Sequence, residues 1–179
     1  MSDCNTPLGP IVIDRHQIAA RVAELGTAIT KDYEGRNLLL LSVLKGAVIF
    51  MADLARAIGL PLEMEYLAIS SFQQDRDTDE RRNIRITKDV AAPLCDKDVL
   101  VVEDIIDTGL TLYYILRFLA AKEPHSLEVC TLLDRPYRRL VDINVRYTGF
   151  TAPDTFFVGY GFDYQQRKRN LPDVAELRI

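Results

Sequence analysis

Two uninterrupted apolar runs constrain this chain more than any other feature. LLLLSVL (38–44) and DVLVV (98–102) show no alternation of apolar and polar residues, so neither strand can turn one face to water. Strands buried on both faces belong to parallel sheets covered by helices on either side. Each run leads into a segment with helical spacing, AVIFMADLARAI (47–58) and LTLYYILRFLAA (110–121). Earlier, residues 14–33 set Ile18, Val22, Leu25 and Ile29 at alternating four- and three-residue steps behind Asp14, a candidate N-cap. LEMEYLAIS (62–70), NIRIT (83–87), LEVCTLL (127–133), INVRYTGF (143–150) and FFVGYG (156–161) read as further strands. Strands alternating with helices predict an α/β fold around a mainly parallel sheet, with the ligand at the carboxyl ends of the strands. A length of 179 residues suits one domain with a full core.

Three polar clusters fall at those carboxyl ends: Lys45-Gly46, Glu103 to Thr111, and Asp134-Arg135. The fold reading brings them onto one rim. Asp107-Thr108-Gly109-Leu110-Thr111 lies between a strand and a helix. Gly109 lets the backbone turn sharply, the helix start leaves free N–H groups, and two hydroxyls add donors, which together make an anion site. The helix dipole contributes only about 0.3–1 kcal/mol to holding an anion, so directed hydrogen bonds must supply the rest. Plain N-capping by Asp107 or Thr108 is the competing reading of the same residues. Neither GxGxxG nor GxxxxGK[ST] occurs in the chain, so neither a Rossmann dinucleotide site nor a P-loop is indicated.

Glu103 and Asp104 beside an anion site raise a conflict. A unit charge pair about 5 Å apart at an effective dielectric near 20 repels by roughly 3 kcal/mol. Sugar hydroxyls that donate to the carboxylates resolve it, and so does a divalent cation. Hydroxyls flanked by a phosphate describe a ribose 5-phosphate.

Composition excludes other classes. Hydrophobic residues make up 48% and charged residues 27%, and the net charge of −4 argues against a chain that coats nucleic acid. Cys4, Cys95 and Cys130 lack metal-ligand spacing and are expected as reduced thiols of a cytoplasmic protein. MSDCNTPLGP has no basic and apolar leader pattern, so no secretory signal is expected. The greasiest window, 38–60, is broken by Lys45, Gly46, Asp53 and Arg56, which argues against a membrane span. The segment FQQDRDTDERRN (72–83) is nearly devoid of apolar residues and reads as a loop or mobile flap.

VLVVEDIIDTGLTL (99–112) resembles the 5-phosphoribosyl-1-pyrophosphate (PRPP) signature of the phosphoribosyltransferases. LKG (44–46), SSF (70–72), CTLLDRP (130–136), TGF (148–150) and PDTFFVGYGFDYQQRKRNLP (153–172) resemble, in the same order, segments of the bacterial purine-salvage branch of that family, the hypoxanthine-guanine phosphoribosyltransferases. The resemblance implies a type I phosphoribosyltransferase fold over 1–179, with a central mainly parallel sheet flanked by helices. A small hood would form from the N-terminal and C-terminal segments, with a mobile flap over about 71–87. It implies transfer of the phosphoribosyl group from PRPP to hypoxanthine or guanine with Mg²⁺ as cofactor, in a homodimer or homotetramer, with no nucleic-acid or membrane partner.

Residue roles follow from the same resemblance. Glu103 and Asp104 would bind the ribose hydroxyls, and Asp107 would exchange a proton with purine N7. Asp107, Thr108, Gly109, Leu110 and Thr111 would wrap the 5′-phosphate. Lys45 and Gly46, with a non-proline cis bond at that turn, would meet pyrophosphate together with Ser71, Phe72 and Arg169. Arg135 would donate to the purine 6-oxo group where the family carries lysine, and Phe72 stands where it carries tyrosine. Phe156 would stack on the base and Phe157 would offer backbone atoms. Asp163 would lie near the 2-position and join Glu103 and Asp104 at the metal. His16 is expected on the polar side of the first helix and His125 to have no catalytic role, Tyr113 and Tyr114 to serve packing or subunit contact, and Arg138-Arg139 to be solvated charge rather than nucleic-acid contacts.

Two other functions compete. A PRPP-sensing regulator of this fold needs a nucleic-acid surface, for which the acidic balance gives no support. A phosphoacceptor signalling domain needs an acid at the end of the first core strand, where LLLLSVLKG offers a lysine.

Overall fold

The computed structural model describes residues 7–72, 83–91 and 93–178, without the side chains of residues 71, 72, 83 and 84. The elements in order are β1 (Leu8–Ile13), α1 (Arg15–Asp32), β2 (Leu38–Leu44), α2 (Val48–Ala57), β3 (Glu63–Phe72), β4 (Asn83–Lys88), β5 (Asp98–Ile106), α3 (Leu110–Ala120), β6 (Ser126–Asp134), a 3-10 turn (Pro136–Arg138), β7 (Tyr147–Thr151), β8 (Phe157–Val158) and β9 (Val174–Leu177).

Six strands form the main sheet in the order β4-β3-β2-β5-β6-β7. All neighbours run parallel except β4, which returns antiparallel along β3. The continuous apolar runs account for its centre. In β2, Leu38 and Leu40 face one core with Ile18, Val22, Leu25 and Ile29 of α1 and Phe50, Met51 and Leu54 of α2. Leu39, Leu41 and Val43 face the other core with Leu112, Ile115 and Leu119 of α3. β5 divides the same way, Leu100 and Val102 against Val99 and Val101. Period-two side chains between two helix layers are expected to be apolar, and over residues 38–43 and 99–102 only Ser42 departs from that.

The chain leaves β2 toward β3 and leaves β5 toward β6, on opposite sides of the adjacent β2–β5 pair. This reversal opens a crevice at their carboxyl ends. The start of α1 is set as expected. The Asp14 carboxylate accepts from the backbone N–H of His16 at 2.7 Å and of Gln17 at 3.0 Å, while Gln17 Oε1 accepts from the Asp14 N–H at 3.0 Å. That is a reciprocal capping box.

A second, three-stranded sheet, in the order β1-β9-β8, is antiparallel throughout and was not expected from local pattern. Two predicted strands are also shorter than expected. The strand of 143–150 begins only at Tyr147. That of 156–161 stops at Val158, because Gly159, Tyr160 and Gly161 take φ of 91°, 47° and 103° and turn the chain back. The expected flap lies between β3 and β4, and its residues 73–82 fall outside the described residues.

Candidate active site

The predicted rim forms where β2 and β5 end. The Leu44–Lys45 peptide is cis, as the family pattern implied. Behind it Gly46 lies so close to β5 that a Cβ there would stand 1.8 Å from Asp104 Oδ2. Gly161 presses on the other side, where a Cβ would stand 2.0 Å from the Gly46 carbonyl oxygen. Two glycines therefore allow Asp104, the Lys45–Gly46 turn and the 159–161 bend to stack without side chains between them.

Glu103 and Asp104 form the floor. Burial pushes the Glu103 carboxyl well above the usual carboxylate range, and the Asp104 charge adds to the rise. Burial raises Asp104 too, opposed by the Ile105 N–H, which donates to it at 2.8 Å, and by the Arg169 charge. Two crowded carboxylates with so little compensation suit a ligand bringing hydroxyl donors or a cation. Among the described residues no three His, Cys, Asp or Glu side chains cluster as a metal cage. Asp163 instead pairs with Arg169 at 2.6 Å. Glu103 and Asp104 still fit Mg²⁺, which usually binds through one or two carboxylates and completes its shell with phosphate oxygens and water.

The Asp107–Thr111 loop turns into α3 with little of the capping that the competing reading expected. The N-cap of α3 is Gly109, at φ 81°, and no side chain makes a capping hydrogen bond there. Thr108 Oγ1 lies 3.5 Å from the Leu110 nitrogen. Apart from that long bond to the Leu110 N–H, the first-turn N–H groups remain available to an anion. They open on a cleft of about 420 Å³ lined by Lys45, Gly46, Glu103, Asp104, Asp107, Thr108, Gly109 and Thr111.

The segment after β6 closes over this loop. The Leu140 N–H donates to the Thr108 carbonyl at 2.9 Å, and Arg139 pairs with Asp134. Arg138 Nε stands 3.0 Å from Asp107 Oδ1, and its NH1 lies 2.6 Å from Asp154. Arg135 approaches the same Asp107 oxygen at 3.7 Å. Arg138 and Arg139, expected as solvated charges, are therefore engaged. The 3-10 turn explains it: a residue three positions past Arg135 returns to the same side. Pro136 at its start was the available signal.

A smaller pocket of about 200 Å³ adjoins the cleft, lined by Asp104, Ile105, Asp107, Arg135, Thr155, Phe156, Phe157, Phe162 and Asp163. Arg135 is buried in its wall. Its guanidinium lies 5.1 Å from the Phe157 ring centroid and donates to the Thr155 carbonyl. Its Nε has no hydrogen-bond partner among the described residues, and neither has Asp107 Oδ1, whose contact with Arg138 is ionic only. Phe156 is half exposed at the pocket mouth, edge-on to Tyr164 at 6.0 Å. Phe157 is buried, its backbone paired with Glu176.

Two cations gather across the cleft. Arg169 donates to the Gly161 carbonyl at 2.8 Å and to Gln166 Oε1 at 3.3 Å, and Lys45 Nζ donates to that same oxygen at 3.2 Å. Gln166 was not singled out from the sequence. Ser71 and Phe72 end β3, opposite Ile84 and Asn83, and their side chains lie outside the described set. His125 contacts Asp98 at the far end of β5, and Tyr113 and Tyr114 are exposed on α3, all away from the cleft.

Comparison with known proteins agrees with this geometry. The phosphoribosyl transferase domain family matches residues 12–165. Hypoxanthine phosphoribosyltransferase of Haemophilus influenzae is 47% identical over 170 residues, covering 93% of this chain and 94% of that protein. Hypoxanthine-guanine phosphoribosyltransferase of Mycobacterium avium is 45% identical over 173 residues, covering 93% and 84%. Among solved structures, a Staphylococcus aureus hypoxanthine phosphoribosyltransferase superposes with a TM-score of 0.89 at 38% identity, over 96% of this chain and 92% of that one. A Bacillus anthracis hypoxanthine-guanine phosphoribosyltransferase gives 0.88 at 37%, over 96% and 98%. A family model matched over most of the chain and relatives alike along nearly their whole length agree, and the chain belongs to the phosphoribosyltransferase family, in its hypoxanthine phosphoribosyltransferase branch.

Proposed function

We propose that this chain transfers the 5-phosphoribosyl group of PRPP to hypoxanthine or guanine, releasing pyrophosphate and the nucleotide. One observation carries the reading: the anion cleft and the aromatic pocket share Asp104, Ile105 and Asp107. A sugar seated on that shared wall has its 5′-phosphate in one chamber and its C1 facing a base in the other.

Glu103 and Asp104 accept from the ribose hydroxyls, which relieves their mutual crowding. The α3 start and the hydroxyls of Thr108 and Thr111 hold the 5′-phosphate. Lys45, Gly46 and Arg169 hold the diphosphate, with Ser71 and Phe72 approaching from the flap. Breaking the C1–O bond leaves positive charge on the ribose, as in glycoside transfer, and nearby carboxylates favour that charge. Arg135 donates to the 6-oxo group through the face its orphan Nε leaves open. Phe156 stacks on the base, Phe157 meets its edge, and Asp163 lies by the 2-position. Asp107, already between two guanidinium groups, takes or returns the N7 proton. Mg²⁺, held by Glu103 and Asp104 on the side where Asp163 stands, would supply charge neutralisation to the departing diphosphate.

We place the reaction in the cytoplasm, where the free thiols of Cys95 and Cys130 stay reduced. Self-association as a homodimer or homotetramer is supported by the apolar side chains of Leu110, Tyr113 and Tyr114 exposed on α3. The hood corresponds to the β1-β9-β8 sheet, which carries Phe157. The test is an ultraviolet assay of nucleotide formation from PRPP and Mg²⁺ with hypoxanthine, guanine, xanthine and adenine. Formation of IMP or GMP is expected. Tight calorimetric binding of PRPP with no turnover of any base would favour the PRPP-sensing alternative instead.

A further inference from the structure

Between the two diphosphate cations stands a residue to which no role has been given. Gln166 occupies the second central position of a two-residue turn closed by Tyr164 N–H to Arg167 carbonyl at 3.1 Å and Arg167 N–H to Tyr164 carbonyl at 3.0 Å. Gln165 and Gln166 have φ of 52° and 65°, and Lys168 follows at 71°. This is the pattern of a type I′ hairpin turn, which strongly prefers Asn-Gly because both central residues are left-handed. Glutamine has neither glycine's freedom nor asparagine's local hydrogen bond, so the conformation is unfavourable and persists only where surroundings hold it.

The surroundings do hold it. The Gln166 N–H donates to Asp163 Oδ2 at 2.7 Å, and the other Asp163 oxygen pairs with Arg169 at 2.6 Å. The Gln166 side-chain oxygen then accepts from Lys45 at 3.2 Å and from Arg169 at 3.3 Å. The two cations differ in how they are fixed. Arg169 is anchored independently by Asp163 and the Gly161 carbonyl. The Lys45 ammonium makes one hydrogen bond among the described residues, and Gln166 is its acceptor.

We propose that Gln166 is a positioning residue that holds Lys45 beside Arg169 at the diphosphate site, its amide oxygen taking the place of a diphosphate oxygen until ligand arrives. A neutral acceptor suits the task. It bridges two like charges that otherwise repel, yet yields to an anion, whose full negative charge attracts both cations more strongly than an amide dipole. The unfavourable turn is what carries the oxygen to that point. The inference rests on the reading that Lys45 and Arg169 meet diphosphate.

Gln166→Gly separates this role from a structural one, because glycine suits the left-handed backbone while losing the amide. Its melting temperature should equal or exceed that of the unmutated protein. Calorimetric titration with magnesium pyrophosphate should show affinity weaker by about 2–10-fold, the worth of an ordinary hydrogen bond. The KM for PRPP should rise by a similar factor, with little change in kcat or in the KM for hypoxanthine. Gln166→Glu keeps the length but sets a carboxylate against the incoming anion, and should weaken pyrophosphate more than glycine does. Unchanged pyrophosphate affinity in both variants overturns the proposal. So does a lowered melting temperature with equal losses for PRPP and base, and so does an unmutated protein that binds no pyrophosphate. An unmutated protein that binds pyrophosphate but transfers nothing to purines refutes the proposed function while the calorimetric comparison still judges Gln166.

Discussion

Replacing Gly46 by alanine isolates the packing of the turn against β5. Gly46 is absent from the residues with left-handed φ, so alanine is acceptable to the backbone and the effect is steric. The new methyl would lie 1.8 Å from Asp104 Oδ2 and 2.7 Å from its Cγ. Ordinary contact requires the carboxylate to retreat by more than an ångström. The turn cannot yield in its place, since Gly161 already abuts the Gly46 carbonyl from behind. Displacement therefore falls on the side chain assigned to the ribose. A misplacement of about 1 Å at a reacting centre can cost roughly 10²-fold, or about 2.7 kcal/mol of transition-state stabilisation. Gly46→Ala should lower kcat/KM for PRPP by about that factor with the melting temperature nearly kept. Gly35 is the control. It has φ 74° with nothing within 4 Å of a Cβ, so Gly35→Ala strains the backbone by about 1–2 kcal/mol and should lower stability alone. Near-normal activity in Gly46→Ala would refute the claim that this packing sets Asp104.

Other outcomes follow from the same geometry. Asp107→Asn should slow single-turnover transfer by about 10²–10⁴-fold while PRPP still binds; an unchanged rate removes the proton-transfer role. Arg135→Met keeps the stem over Phe157 and loses the donor, so kcat/KM for hypoxanthine should fall sharply. The unmutated protein should reject adenine by up to roughly 10⁴-fold, and comparable adenine activity would contradict the assignment. Away from the site, the Tyr147 hydroxyl at 2.7 Å, then Arg146, holds Asp32 below the usual carboxylate range. Its folded pKa lies under the unfolded value, so its contribution is whole above about pH 4 and is lost as pH falls through the depressed folded value. Asp32→Asn should accordingly lower urea stability at neutral pH and flatten its decline on the acid side.

What could be read in advance depended on where each residue's partners lie. β2 and β5 were legible because burial on both faces writes itself as an unbroken apolar run, and α1 because its cap is four adjacent residues. The rim followed, since both strands end in polar clusters. β1 and β9 were not legible: they are short, they pair across almost the whole chain, and Gly9 and Pro10 interrupt the first beside its register shifts. Arg138 read as solvated charge because its contact with Asp107 arises only once Pro136–Arg138 coils. Gln166 gave no signal, because a left-handed glutamine is fixed by Asp163 and Arg169 rather than by its neighbours in sequence.

The order of the small sheet imposes a timetable on synthesis. Its middle strand, β9, leaves the ribosome after every other strand of the two sheets, and both β1 and β8 find their sheet partner only there. Leu8 waits for Leu177, and Phe157 waits for Glu176. The six-stranded sheet is complete in sequence by Thr151, so the phosphate-holding half of the molecule can assemble while the chain is still growing. The wall of the base chamber cannot. On the proposed assignment of the two chambers, a nascent chain should be able to form its sugar-phosphate site before its purine site.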